Sequence, residues 1–163
     1  MAPRRRDADA PGGRRREKHS WLALERYLLI HREKLAARPF VIADGTEFVR
    51  YEAEGVEFVR CVGILSCQRA VRIAVTKLMA TRVSRAQLQV RSIHFNYHVT
   101  QRRDGRTRNL LRYDNSHVDT PEEYHRHLYD PRSGEQTRTI LTREQFPDLA
   151  EVVDEADRLS RWR

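Results

Sequence analysis

Leu88-Gln-Val-Arg-Ser-Ile-His-Phe-Asn-Tyr-His-Val-Thr-Gln101 is the clearest strand of the chain and the stretch that decides its fold class. Strand side chains alternate between two faces. Ile93, Phe95, Tyr97 and Val99 therefore point one way, and Ser92, His94, Asn96, His98 and Thr100 the other. The first set belongs to a core. The second is a polar row that is either solvated or lines a site. Arg102-Arg103-Asp104-Gly105-Arg106 follows with the Asp-Gly signal of a hairpin turn. Thr107 to Tyr113 then returns as the antiparallel partner, with Leu110 and Leu111 as its apolar residues.

Outward from this hairpin, two further strands read from Thr46 to Ala53 and from Val56 to Ser66, joined at Glu54-Gly55. Residues 68–84 fit either period. Val71, Ile73 and Val75 alternate, while Val71, Val75, Leu78 and Met79 share a helical face; length and alanine content favour a helix. Gln136 to Leu141 reads as a last strand. Ser20 can cap a helix running to about Ala37, with Trp21, Leu24, Leu28 and Leu35 as its stripe, and Pro39 ends it. Thr142 and Gln145 form a capping-box pair. A C-terminal helix is expected from about Pro147 to Arg161, burying Leu149, Val152, Val153, Ala156, Leu159 and Trp162. The expected fold is α+β: an antiparallel sheet of about four or five strands packed against N-terminal and C-terminal helices. One domain spans 18–163 behind a basic arm, 1–17.

The chain has 163 residues, 39% hydrophobic and 33% charged, with a net charge of +8. That composition predicts a modest core under a heavily charged surface. Half of the excess charge lies in residues 1–18, including Arg4-Arg5-Arg6 and Arg14-Arg15-Arg16. The arm has too little apolar surface to offset ordering entropy and suits a phosphate backbone. Nucleic acid, RNA first, is the expected partner. Cys61 and Cys67 lack the Cys-x2-Cys spacing of a thiolate metal site and read as buried hydrophobes in a reducing compartment, hence a cytoplasmic protein. No apolar run reaches the length of a membrane span.

The chemistry concentrates in Arg112-Tyr-Asp-Asn-Ser-His-Val-Asp-Thr-Pro-Glu-Glu-Tyr-His-Arg-His127. Histidine transfers protons near neutral pH, and arginine grips phosphate with forked donors. Cleavage of RNA without a metal needs a base, an acid and a cation to steady the phosphorane. His125 and His127 supply the first two, and Arg126 and Arg112 the third. Tyr113, Asp114, Asn115, His117, His94 and His98 are candidates to bind substrate, and Tyr113 or Tyr124 can stack a base. In an extended segment His125 and His127 share one face, about 6–7 Å apart. This reading needs no metal and no cofactor. Two others stay open. The histidines with His117, Asp114 or Asp119 can ligate zinc or manganese, or the motif is structural, with Asp114-Asn115 shaping a turn.

The order Phe95-Asn96-Tyr97-His98-Val99, Asp104-Gly105, Arg112-Tyr113-Asp114-Asn115, His125-Arg126-His127 and a C-terminal helix ending Arg161-Trp162-Arg163 resembles the TumE-type toxin family of prokaryotic toxin–antitoxin systems. The likeness covers about residues 93–163. It differs before His125, where Thr120-Pro-Glu-Glu123 replaces a shorter glycine-rich gap. The resemblance implies a toxin role and a cognate antitoxin partner. Ribonuclease activity follows from the side-chain chemistry and charge, not from the resemblance. The alternatives are a non-catalytic nucleic-acid-binding or assembly subunit that uses the basic surface and arm, and a protein-binding scaffold.

Overall fold

A computed structural model describes residues 19–115 and 123–162. In chain order its elements are β1 (Leu22–Ala23), α1 (Leu24–Ala36), β2 (Val41–Ala53), β3 (Val56–Cys67), β4 (Val71–Ser84), β5 (Gln87–Arg103), β6 (Arg106–Asp114), β7 (Tyr124–Tyr129), β8 (Gln136–Leu141) and α2 (Leu149–Ser160). The eight strands form one antiparallel sheet in the order β2-β3-β4-β5-β6-β7-β8, and β1 pairs with β5. Strand β5 is the spine. It pairs with β4 along its length, with β6 through its second half, and with β1 near its start, where Leu22 faces Val90.

This corrects the expected α+β fold of four or five strands. The protein is mainly one long sheet with two short helices. The largest single difference is β4, expected as a helix. Its Val71, Ile73, Val75, Lys77 and Met79 are all buried while Arg72, Ala74 and Thr76 are exposed, a period of two. Local pattern left the two periods tied. Pairing with β3 on one edge over 71–80 and with β5 on the other over 71–84 gives the backbone of a strand hydrogen-bond partners there, and that decides it. The segment 124–129 adds β7, and β1 takes residues expected in the first helix, so α1 starts at Leu24 rather than after Ser20.

The buried face of the sheet and both helices share one core. It joins Val59, Cys61, Leu65, Ile73, Phe95, Tyr97 and Val99 to Leu35 of α1 and Leu149, Val152, Val153 and Ala156 of α2. Arg38 ties the helices together by donating to Asp154 and to the Ala150 carbonyl, and Lys34 pairs with Asp148. The Thr142/Gln145 box forms but closes only one turn; α2 starts later, at a second box made by Asp148 and Glu151. Trp162, expected in the buried stripe, is 65% exposed. Between the boxes, Phe146 is fully buried among the rings of Phe95, Tyr97, Tyr113 and Tyr124, at centroid distances of 4.9, 6.2, 5.6 and 5.2 Å. Both cysteines are unpaired and buried, and burial pushes each thiol up to about 11. No helix among the described residues is long and apolar enough to cross a membrane.

Two-residue loops join β2–β3, β4–β5 and β5–β6, each with positive φ at both residues: Glu54-Gly55, Arg85-Ala86 and Asp104-Gly105. Such hairpin loops favour glycine at the second position. Only Arg85-Ala86 lacks one. A left-handed residue with a side chain costs roughly 1–2 kcal/mol, partly offset by the extra freedom glycine has when unfolded. Ala86→Gly is therefore expected to stabilise the protein by up to about 1 kcal/mol, or ~2–4 °C in melting temperature. A lowered melting temperature would contradict this account of the loop.

Candidate active site

Strand β6 lies between β5 and β7, and the register fixes what faces what. Asn96 pairs with Asp114, which pairs with His125; His98 pairs with Arg112, which pairs with His127. Directly opposed residues share a face of the sheet. Two transverse rows result, Asn96–Asp114–His125 and His98–Arg112–His127, on the face away from the helices. His94 stands on the same face one step along β5, opposite Leu78. The polar row of β5 and the two histidines of β7 therefore belong to one surface. Ser92 and Ile93 depart from the simple alternation. Ile93 is the extra residue of a bulge between Ser92 and His94, and Ser92 is buried on the helix side.

Asp114 is the centre of the site. It is fully buried, with His125 Nε2 3.2 Å from Oδ1, His127 Nε2 3.7 Å from Oδ2 and Arg112 Nε 2.6 Å from Oδ2. His125 is also fully enclosed, and its Nδ1 lies 3.5 Å from Glu123 Oε1. Glu123 in turn pairs with Arg138 of β8. His127 Nδ1 lies 2.6 Å from Gln136 Nε2, and the two imidazole rings are 5.3 Å apart. A buried carboxylate without partners would cost several kcal/mol. Here one guanidinium and two imidazoles surround it. His127 and Arg112 open toward solvent, with side chains 11% and 39% exposed.

Asp114, His125 and His127 are also the one group among the described residues that could offer three ligand atoms to a metal, all within 4.8 Å of one another. The Arg112 guanidinium beside Oδ2 already supplies positive charge there and would repel a cation. The arrangement fits proton transfer better than metal binding.

Several expected residues are not brought to this cluster. Arg126 faces Tyr113 across β6–β7 and lies on the helix side. It pairs with Glu155 of α2, and Tyr113 donates to the other oxygen of the same carboxylate at 2.7 Å. Burial and that carboxylate hold the Tyr113 phenol above its ordinary pKa. The alternation that puts 125 and 127 together necessarily sends 126 away. Asn115 is 1% exposed and works as backbone: its amide accepts from Phe95 N–H and donates to the Ile93 carbonyl, both at 2.8 Å. It thereby extends the β5–β6 pairing past the bulge. His98 stays on the site face, with Nε2 2.9 Å from Asn109 Oδ1. His117, Asp119 and the arginines of the arm lie outside the described residues.

Glu123, Gln136 and Arg138 were not legible as site residues. Their signal is the β7–β8 register, which sets Arg138 opposite His127, and that pairing needs the fold. No family model matches this chain, and neither a curated protein nor a solved structure matches it.

Proposed function

We propose that the protein is a toxin-like endoribonuclease that cleaves RNA by proton transfer, without a metal, at the two transverse rows centred on Asp114. The observation that carries this reading is the row His98–Arg112–His127, a cation flanked by an imidazole on each neighbouring strand. Neighbouring strands lie about 4.8 Å apart, so the two histidine backbones are separated by about 10 Å with the guanidinium between them. A phosphodiester held by Arg112 would have a proton acceptor and a proton donor on opposite sides. One imidazole removes the 2′-hydroxyl proton as the oxygen attacks phosphorus; the other protonates the departing 5′-oxygen. Arg112 steadies the phosphorane charge. Gln136 orients His127, the Asp114 charge faces its Nε2 from 3.7 Å, and His125, enclosed behind it, holds the carboxylate.

Charge supports the same ligand. The register puts Arg60, Arg72, Arg91, Arg102 and Arg138 on this face beside Arg112. That basic surface equally favours a second reading, an RNA-binding subunit that does not cut. The toxin role and an antitoxin partner come from the family resemblance alone and stand with it.

Induced expression of the wild type beside His125→Ala/His127→Ala separates the readings. Growth arrest with RNA breakdown is expected in the wild type only, and cleavage by the purified protein should survive a chelator. Intact RNA in both strains, with salt-sensitive RNA binding retained, would establish the binding subunit. Loss of cleavage on chelation would restore the metal reading of Asp114, His125 and His127.

A further inference from the structure

A second feature lies on the opposite side of the sheet. Lys77 sits in the middle of β4 with its side chain toward the helices and is 95% buried by its 5% exposure. Its ammonium bonds the Tyr27 hydroxyl and lies over the rings of Tyr27 and Phe95, 5.0 and 5.5 Å from their centroids. Among the described residues no carboxylate oxygen comes within 4.0 Å of it. The groups that face it are the Tyr27 and Tyr97 phenols and the Cys61 thiol, and burial raises the pKa of Tyr97 and of Cys61. Burial works against its charge, while the hydroxyl oxygens of Tyr27 and Tyr97 beside it favour the charged form and shift its pKa upward. Burial lowers the pKa of His31, which also lines this region, against the pull of Asp44 3.6 Å away. A buried cation is ordinarily paired with an anion. Among the described residues this one is not, and it opens onto a cavity.

The cavity has a volume of about 270 Å³ and lies between α1, the start of α2 and strands β4 and β5. Its walls are mostly apolar, with Leu22, Ile30, Leu35, Val90 and Leu149. Lys77 and Ser92 supply buried polar groups. The volume falls just under the range of pockets for drug-sized ligands, so it suits a smaller molecule. Asp148 also lines the cavity, held by Lys34 and by the Glu151 N–H. That carboxylate would repel a ligand with a second negative charge.

We infer that this cavity binds a small organic monoanion, an aliphatic carboxylate, whose charge pairs with the Lys77 ammonium and whose chain lies against the apolar walls. The inference is independent of RNA cleavage, because the sheet separates Lys77 from the Asp114 cluster.

Hexanoate and 1-hexanol are the probes, with binding read by calorimetry and by melting temperature on the full chain. Hexanoate is expected to bind saturably and raise the melting temperature, and hexanol, equal in chain length but uncharged, to do neither. Lys77→Met keeps the length of the side chain and removes the charge, and should weaken hexanoate binding by about tenfold or more. Equal effects of acid and alcohol, unchanged affinity in Lys77→Met, or no binding of hexanoate would each overturn the inference. Ile30→Trp provides a second route that leaves Lys77 intact. It fills the cavity from α1 and should abolish hexanoate binding; retained binding would put the ligand elsewhere.

Discussion

Asp114→Asn is expected to lower RNA cleavage by about 10²–10⁴-fold, the range that general acid–base groups contribute, while the protein still folds. The substitution keeps the shape of the side chain and removes its charge. Three nitrogen groups surround the Asp114 carboxylate, with His125 Nε2 3.2 Å from one oxygen and Arg112 Nε and His127 Nε2 2.6 and 3.7 Å from the other. An amide offers one accepting oxygen and replaces the other with a donor. His127 then loses the negative charge that faces its Nε2 from 3.7 Å and favours its protonated form. Arg112, being 39% exposed, can turn its guanidinium to water instead of staying buried and unpaired. Breaking a buried ionic contact also costs stability, by about 3–5 kcal/mol when a partner is left behind. Cleavage must therefore be measured alongside circular dichroism, at a temperature where the variant is folded. A folded Asp114→Asn that cuts RNA as fast as the wild type would remove Asp114 from the mechanism and with it the proposed reading of the site.

Phe146→Ala is expected to destabilise the protein by about 3–5 kcal/mol, the cost of truncating a fully buried phenylalanine. The side chain has no exposure and meets the rings of Phe95, Tyr97, Tyr113 and Tyr124. These neighbours come from β5, β6 and β7, so the ring props the site strands from behind. Urea denaturation measures the loss, and Phe146→Leu, which refills much of the volume, should recover a good part of it. A loss below about 1 kcal/mol would mean that the Thr142–Phe146 turn can move away without disturbing the core, contrary to the packing described.

Much of the local structure was legible because it depends on neighbours in sequence. The β5–β6 hairpin follows from alternation and from Asp104-Gly105, whose left-handed pair closes it. The last helix follows from its apolar stripe and acidic start. That His125 and His127 share a face follows from the period of a strand alone. Arg126 shows how far that reasoning goes. The same period sends it to the other face, but its pairing with Glu155 could be found only once α2 was packed there. Phe146 carried no signal, since one aromatic residue in a turn has no periodicity.

What the chain determined by itself was thus the hairpins, the two helical stripes, the basic charge and the residue types available for proton transfer. The tertiary structure decided three things: that 71–84 is a strand, that the polar row of β5 meets the histidines of β7, and that Lys77 lies buried beside a cavity. The physical reason is the same for all three. Periodicity is a property of adjacent residues. Strand partners, register and burial are set by hydrogen bonds and packing between segments tens of residues apart, and these can override a tied or silent local preference.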